Sequence, residues 1–248
     1  MSIEFRHISF HYDAKRPVLK DLTFAVAPGE FLLVVGQNGV GKSTLLKLMN
    51  GILKPTTGEV HVNGLDTSHQ RTSRLAKDIC VTFQNPADQI FASTLRAEIE
   101  FGPKNLQREH VDQRVDEALD LFDFKDYSNH HPYDLPPAQR KLLTVASAYA
   151  SGAPFLAFDE PSAGLSQIER SVFERVLHAL KNEGRGLIIV SHDLGLLLPF
   201  AARTLILAEG EMVYYGETNQ VFRQRSLLRK AGLRLPLTHR LKEIMELQ

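Results

Sequence analysis

The chain has 248 residues, of which 43% are hydrophobic, and its 29 lysines and arginines balance 29 aspartates and glutamates. A chain of this length can bury a core as one large domain or as a core with a subdomain, and its zero net charge gives no electrostatic reason to expect a nucleic-acid partner. Its single cysteine, Cys80, cannot form an internal disulfide, which fits a reducing cytoplasm, and no apolar stretch reaches the ~20 residues of a spanning helix.

The first predicted element is an antiparallel β region over residues 3–27, where apolar and polar residues alternate. Residues 13–17, Asp-Ala-Lys-Arg-Pro, form its predicted turn. A buried strand is then predicted over Phe31 to Val35, because this run is entirely apolar.

That strand runs into a glycine-rich turn, residues 36–44, which ends in a lysine and two hydroxyl residues. Its glycines allow backbone N–H groups to point at phosphate oxygens, Lys42 adds a positive charge for the β and γ phosphates, and the Ser43 hydroxyl can bind Mg²⁺. The apolar residues from Leu45 to Met49 predict a helix directly after the turn. This pattern predicts nucleotide binding. The residues assigned to it are Gly36, Asn38, Gly39, Gly41, Lys42, Ser43 and Thr44.

Further along the chain, short apolar runs alternate with helical patterns, which predicts an α/β fold. The predicted buried parallel strands are residues 79–83, 155–158 and 187–190. The segment from about 84 to 150 is predicted to be an inserted helical subdomain between two of these strands. The predicted amphipathic faces are Val111, Val115, Ala118, Leu119 and Phe122 on one helix, and Ile168, Val172, Val176 and Leu180 on another.

Two consecutive carboxylates, Asp159 and Glu160, follow the strand at 155–158, and His192 follows the strand at 187–190. Ligands of α/β sheets bind at the carboxyl ends of the strands. Asp159 suits the Mg²⁺-binding carboxylate of phosphate-loop nucleotidases, and Glu160 can orient or polarise the attacking water. His192 is placed to reach the γ phosphate.

Together these motifs resemble the ATPase subunits of ATP-binding cassette transporters, over essentially the whole chain. The resemblance implies ATP hydrolysis by Glu160, His192 and Gln84, with Gln84 also contacting Mg²⁺ beside Ser43 and Asp159, and Tyr12 stacking on adenine. It implies a phosphate-loop core with a mostly parallel sheet and an antiparallel N-terminal β subdomain. We expect residues 1–226 to form this ATPase domain and residues 227–248 to form a C-terminal helical extension.

Residues 83–91 and 98–103, Phe-Gln-Asn-Pro-Ala-Asp-Gln-Ile-Phe and Glu-Ile-Glu-Phe-Gly-Pro, are similar to the energy-coupling-factor branch of that family. This branch imports vitamins and transition-metal ions. Its ATPases work at the cytoplasmic face of the cell membrane, with a membrane scaffold subunit and a substrate-binding membrane subunit. We therefore expect this chain to be a peripheral membrane ATPase with those partners.

The chain departs from the family at residues 135–139, which read Leu-Pro-Pro-Ala-Gln where the family has Leu-Ser-Gly-Gly-Gln. In the family the serine hydroxyl and backbone N–H groups of this segment bind the γ phosphate of the ATP that the other subunit holds. Pro136 and Pro137 lack both the serine hydroxyl and backbone N–H groups, and Ala138 adds a Cβ where glycine allows close approach. Ser166 also replaces an aspartate in the loop that crosses the dimer interface. Both changes affect the partner's site, so we expect a heterodimer with a second ABC ATPase whose motif is intact.

Two other functions fit parts of the sequence. A soluble cassette ATPase of DNA repair, ribosome function or cluster assembly shares the motifs. Such proteins usually have a coiled-coil insertion, tandem cassettes or a basic groove, and this sequence shows none of these features. A regulatory subunit that binds ATP without hydrolysing it does not need Glu160 or His192. Importer function therefore remains the preferred interpretation.

Overall fold

The central element of the molecule is a six-stranded sheet in the order β10-β9-β3-β8-β7-β6. The computed structural model describes residues 1–13, 16–221, 224, 227, 228 and 232. All neighbouring strands of this sheet are parallel except β9 and β10, which pair antiparallel. The strands are β3 (Phe31–Gly36), β6 (Ile79–Thr82), β7 (Phe155–Asp159), β8 (Gly186–Val190), β9 (Arg203–Ala208) and β10 (Glu211–Glu217).

The three strands predicted as buried and parallel are found as β6, β7 and β8, and the buried strand predicted at 31–35 is found as β3. All four pair parallel, and β3, β7 and β8 are buried throughout. In their register Asp159 lies opposite Val190, and Val190 lies opposite Val34. The carboxyl ends of β3, β7 and β8 therefore meet at one edge of the sheet, where α/β folds bind ligands.

A second sheet of four antiparallel strands, in the order β2-β1-β4-β5, covers one face of the central sheet. The predicted antiparallel pairing of residues 3–27 is confirmed, and Phe5 of one strand stacks on Phe24 of the other at 4.4 Å between ring centroids. Sequence reasoning did not identify the last two strands of this sheet. Its strands are β1 (Ile3–Asp13), β2 (Arg16–Val26), β4 (Thr57–Val62) and β5 (Leu65–Asp66).

Helices cover the other face of the central sheet, and three of them, α3, α4 and α5, occupy the predicted helical segment between β6 and β7. The boundaries of that subdomain stay a prediction, and α5 also packs against β6 and β7. Two other helices, α1 and α2, pack instead in the core beneath the antiparallel sheet. The helices of the described residues are α1 (Lys42–Met49), α2 (Thr72–Leu75), α3 (Leu95–Asn105), α4 (Val111–Leu121), α5 (Pro137–Ala150), α6 (Gln167–Asn182), α7 (Leu194–Leu197) and α8 (Thr218–Val221).

Strand β3 shows why the central strands contain almost only apolar residues. Leu33 and Val35 pack into the core on the helical face, whereas Leu32 and Val34 pack into the core beneath the antiparallel sheet. Successive side chains of a strand point to opposite faces, so a strand covered on both sides needs an apolar residue at every position.

One predicted helical face is partly wrong. Val172, Val176 and Leu180 are buried on α6, but Ile168 is 80% exposed. A four-residue spacing advances ~40° further than one full turn, so a row of such residues drifts around the helix. The buried stripe instead includes Phe173 and Leu177.

The predicted C-terminal extension, residues 227–248, lies outside the described residues apart from Leu227, Leu228 and Gly232. Among the residues that the structure describes, no helix combines the length and the apolar character needed to cross a membrane.

Candidate functional site

The glycine-rich turn connects β3 to α1 at the carboxyl edge of the central sheet. Gly41 is the residue before α1 and has a φ of 109°, a conformation that favours glycine, and a Cβ here would lie 2.6 Å from Leu19 Cδ2. Leu45 N donates to Gly41 O at 2.9 Å and begins the helix. The turn therefore presents the positive N-terminal end of a helix toward the site, an arrangement that suits phosphate.

Lys42 is buried, with 7% of its surface exposed, and its ammonium group lies inside the turn. Its Nζ donates to Gly36 O at 2.7 Å and to Gln37 O at 3.0 Å. Burial lowers the pKa of Lys42, while the negative charges of Glu160 and Asp159 oppose that shift. The turn thus holds a poorly solvated cation that gains stability from an anionic ligand.

Asp159 is the last residue of β7 and only 5% exposed. Burial raises the pKa of its carboxyl group, whereas a hydrogen bond from Ser43 and the positive charge of Lys42 act in the opposite direction. The contact between Ser43 and Asp159 brings two oxygen ligands together. Oxygen atoms of hydroxyl, carboxylate and amide groups are what Mg²⁺ prefers, so Ser43, Asp159 and the nearby amide of Gln84 fit this ion.

Glu160 follows Asp159 and has a left-handed backbone with a φ of 50°. Its N–H donates to Val190 O at 2.8 Å, and its Oε2 accepts from the backbone N–H of His192 at 3.3 Å. A left-handed non-glycine residue costs about 1–3 kcal/mol and persists only where the surrounding structure holds it. Val190 of the neighbouring strand β8 and the backbone N–H of His192 supply those restraints and direct the carboxylate toward His192.

His192 connects the carboxylate to the glycine-rich turn. Its Nε2 lies 3.4 Å from Glu160 Oε1 and 2.9 Å from Asn38 Oδ1. The same nitrogen is 3.5 Å from Lys42 Nζ. The glycine-rich turn and Glu160, which are far apart in the sequence, therefore both come within 3.5 Å of one imidazole nitrogen.

Tyr12 lies at the end of β1 and is 63% exposed. Its hydroxyl lies 3.1 Å from Thr44 Oγ1, and its ring packs edge-on against Phe10 at 4.9 Å between centroids. The exposed ring is thus anchored at both ends beside the first turn of α1, in a position that suits stacking on a flat base.

These residues line one cleft of about 750 Å³. It brings together every predicted site residue except Gly36, whose carbonyl oxygen instead accepts from Lys42. Sequence reasoning missed Val18 and Ala163, which also line the cleft, because neither has a chemical signature. The predicted residues along its walls are Tyr12, Asn38, Gly39, Gly41, Lys42, Ser43, Thr44, Gln84, Asp159, Glu160 and His192.

The unusual segment at 135–139 forms the start of α5 and does not line that cleft. Pro136 precedes the helix and Pro137 is its first residue, and no side chain caps the helix N-terminus. The first intrahelical bond runs from Arg140 N to Pro136 O at 3.0 Å. Of the four N–H groups that a helix normally leaves free at its start, only those of Ala138 and Gln139 exist here.

Ser166, which the resemblance places where an aspartate is usual, has a structural role in this fold. It precedes α6, and its hydroxyl accepts from Glu169 N at 3.4 Å while its own N–H donates to Glu169 Oε2 at 2.7 Å. This reciprocal pair is a capping box. Serine and aspartate both cap helices well, so the substitution preserves the start of α6.

Comparison with known proteins agrees with this geometry. The family model described as ABC transporter matches residues 19–163. The energy-coupling factor transporter ATP-binding protein EcfA of Methanothermobacter thermautotrophicus is 37% identical over 240 residues, which cover 95% of this chain and 77% of that protein. The protein of the same name from Methanocaldococcus jannaschii is 36% identical over 247 residues, or 98% of this chain and 88% of that protein.

A solved structure is also similar over nearly its full length. The cbiO1 protein of Clostridium perfringens, described as part of the ABC transporter complex cbiONQ, matches with a TM-score of 0.80 and 28% identity. The match covers 98% of both chains.

Proposed function

The chain belongs to the ABC transporter family as an ATPase subunit of an energy-coupling-factor importer, and we propose that it works in a heterodimer with a sister ATPase. The observation that carries the ATPase function is the cleft in which the glycine-rich turn, the two carboxylates and His192 meet. The altered segment at the start of α5 lies elsewhere and supports the heterodimer.

In the proposed mechanism the N–H groups of the turn and the ammonium of Lys42 bind the β and γ phosphates of ATP. Tyr12 stacks on the adenine base. Glu160 orients and polarises the attacking water, and His192, held by Asn38 and Glu160, contacts the γ phosphate. Catalysis consists of positioning and charge stabilisation, as in other phosphate-loop enzymes.

Ser43, Gln84 and Asp159 are the residues that we assign to Mg²⁺, which supplies charge neutralisation to the phosphates when bound. The hydrogen bond between Ser43 and Asp159 and the position of Gln84 on the same cleft support this assignment. The raised pKa of Asp159 is consistent with it, because a buried carboxylate gains from a nearby cation.

The two nucleotide sites of the heterodimer differ in this proposal. This chain's own cleft receives an intact Leu-Ser-Gly-Gly-Gln segment from the sister subunit and hydrolyses ATP. The opposite site receives Pro136, Pro137 and Ala138, which offer the γ phosphate fewer donors, and it binds ATP with slow or no turnover.

The named relatives support a complex with membrane subunits, because one is described as part of a transporter complex and the others as energy-coupling factor proteins. We propose a membrane scaffold subunit and a substrate-binding membrane subunit as partners. The chain then acts at the cytoplasmic face of the membrane, where ATP-driven closure moves the scaffold. The cargo is a vitamin or a transition-metal ion, which the separate binding subunit recognises.

Co-purification tests this assignment directly. The tagged chain is isolated from detergent-solubilised membranes of the cells that naturally produce it, and the associated proteins are sequenced. We expect a second ATPase with an intact Leu-Ser-Gly-Gly-Gln segment and two membrane proteins in fixed ratio. Recovery of the chain as a homodimer without any membrane protein would overturn the heterodimer and the transport role.

A further inference from the structure

Lys141 lies in the second turn of α5, the helix that begins with the altered segment, and its side chain contacts a residue that lines the proposed nucleotide cleft. Its Nζ donates to Ala163 O at 2.8 Å, and Ala163 is one of the residues that line the cleft. This contact joins α5 to the loop at residues 163–166, which we call the crossing loop. The family resemblance places this loop at the dimer interface.

The contact continues through one more hydrogen bond to the backbone of Glu160, whose side chain is the proposed catalytic carboxylate. Ala163 N donates to Glu160 O at 3.3 Å, so Lys141 and the backbone of Glu160 are linked through a single residue. Because Glu160 has a left-handed backbone, its conformation depends on the neighbours that hold it. Lys141 is the part of α5 that supplies such a restraint.

The charge of Lys141 also acts on this edge of the sheet. Burial lowers the pKa of Lys141, while the negative charges of Glu160 and Asp159 act in the opposite direction. Conversely, Lys141 is one of three lysines whose positive charges lower the pKa of Asp159, and the other two are Lys42 and Lys47. The ammonium therefore partly balances two carboxylates in a poorly solvated site.

We propose that Lys141 is a positioning residue for hydrolysis: its ammonium holds the Ala163 carbonyl, and thereby the crossing loop and Glu160, in the arrangement required for attack by water. The proposal rests on the proposed role of Glu160. It also connects the two nucleotide sites. In the proposed heterodimer the first turn of α5 faces the partner's ATP, and Lys141 in the second turn of α5 holds this chain's own crossing loop.

The test compares Lys141→Gln and Lys141→Arg in the full chain, in complex with its sister ATPase. Glutamine removes the charge, whereas arginine keeps a cation of similar reach. We expect Lys141→Gln to lower kcat about ten-fold, because one charge-assisted hydrogen bond is lost. The KM for ATP should change less than about two-fold. Lys141→Arg should restore most of the rate.

Hydrogen exchange of the full chain without nucleotide provides a second measurement that does not depend on activity. Lys141→Gln should accelerate exchange of the amides in the crossing loop, and Lys141→Arg should not. Lys125→Gln is the matched control. Lys125 lies between α4 and α5, is exposed, and pairs with Asp120 at 2.7 Å, away from the crossing loop. This variant should leave both kcat and exchange unchanged.

The outcomes separate this proposal from the function on which it rests. Absence of hydrolysis that depends on Lys42 in the wild-type complex refutes the proposed function, and the exchange measurement still decides the role of Lys141. Unchanged exchange in Lys141→Gln overturns the positioning role. A normal kcat in an active complex, or a loss that Lys141→Arg does not restore, overturns it as well.

Discussion

Replacing Pro136-Pro137-Ala138 by Ser-Gly-Gly should convert a chain that is nearly inactive alone into an active homodimer. In the structure the altered segment starts α5 with two prolines and no capping side chain. Two copies of the unmodified chain would therefore pair two intact clefts with two defective phosphate contacts. We expect the purified chain alone to hydrolyse ATP slowly or not at all.

The size of the expected gain follows from the donors that return. The replacement adds one hydroxyl and two backbone N–H groups at the helix start and removes the Cβ of Ala138. Hydrogen bonds to charged groups contribute about 1.5–3 kcal/mol each. Recovery of only one of them in the transition state raises the rate about ten- to a hundred-fold. The two glycines cost about 0.5–1 kcal/mol each in helix stability, so thermal unfolding must show that the variant folds.

The assay is steady-state ATP hydrolysis by the chain alone, freed of contaminating ATPases, before and after the replacement. Lys42→Ala in each background identifies the part of the signal that belongs to this site. Addition of a sister ATPase with an intact segment should activate the unmodified chain. Robust, Lys42-dependent turnover by the unmodified homodimer would refute the reasoning, since the altered segment would then be functional.

Three further predictions concern the cleft and the loop beside it. In the complex, Lys42→Ala should weaken ATP binding, whereas Glu160→Gln should keep binding and lower hydrolysis ~10²-fold or more; near-normal hydrolysis by the glutamine variant would exclude Glu160 as the catalytic group. Asp159→Asn should abolish hydrolysis yet raise the thermal midpoint at pH 7. Burial raises the pKa of Asp159 in the folded state, so above the pKa of the unfolded chain the ionised carboxylate lowers the stability of the fold. This loss of stability disappears when the pH falls through the raised pKa, and it is absent from the neutral asparagine variant. The thermal midpoint of the variant should rise by about 2–4 °C for each kcal/mol of stability gained, measured by calorimetry across pH. A lower midpoint than that of the wild type would contradict this prediction. Ser166→Ala should lower the free energy of unfolding by ~1 kcal/mol in denaturant titration, while Ser166→Asp should leave it unchanged. A Ser166→Ala variant as stable as the wild type would show that the capping box contributes nothing.

The sequence was sufficient to predict the α/β fold and the residues that meet in the cleft, for a physical reason. Residues 31–35 and 155–158 are apolar at every position, which marks strands covered on both faces, and the polar residues directly after them must lie at the carboxyl edge. Lys42, Asp159 and His192 follow three neighbouring strands in this way. Their proximity could therefore be inferred without coordinates.

Other features could not be predicted because they depend on tertiary contacts. Nothing in the spacing of Lys141 indicates that it reaches Ala163, 22 residues away. The exposure of Ile168 depends on where α6 meets the sheet, which an apolar period alone does not determine. The departure at Ser166 resembled damage to the interface, whereas the structure shows that the serine also caps α6. A local pattern predicts which face of an element is apolar, but not which neighbour covers it.

In our proposal one chain combines a complete cleft with a segment that no longer contacts phosphate well, and the position of that segment makes this combination possible. No residue from 135 to 139 lines the cleft, and the predicted site residues lie between positions 12 and 84 or between 159 and 192. In our proposal the missing N–H groups of Pro136 and Pro137 at the start of α5 therefore leave this chain's own contacts to ATP unchanged. Lys141 is the point at which the two functions meet, since it belongs to the altered helix and contacts the loop that follows Glu160. A change in how the partner's nucleotide contacts α5 would reach Glu160 through Lys141 and Ala163, so in our proposal even a site that does not turn over ATP influences the site that does.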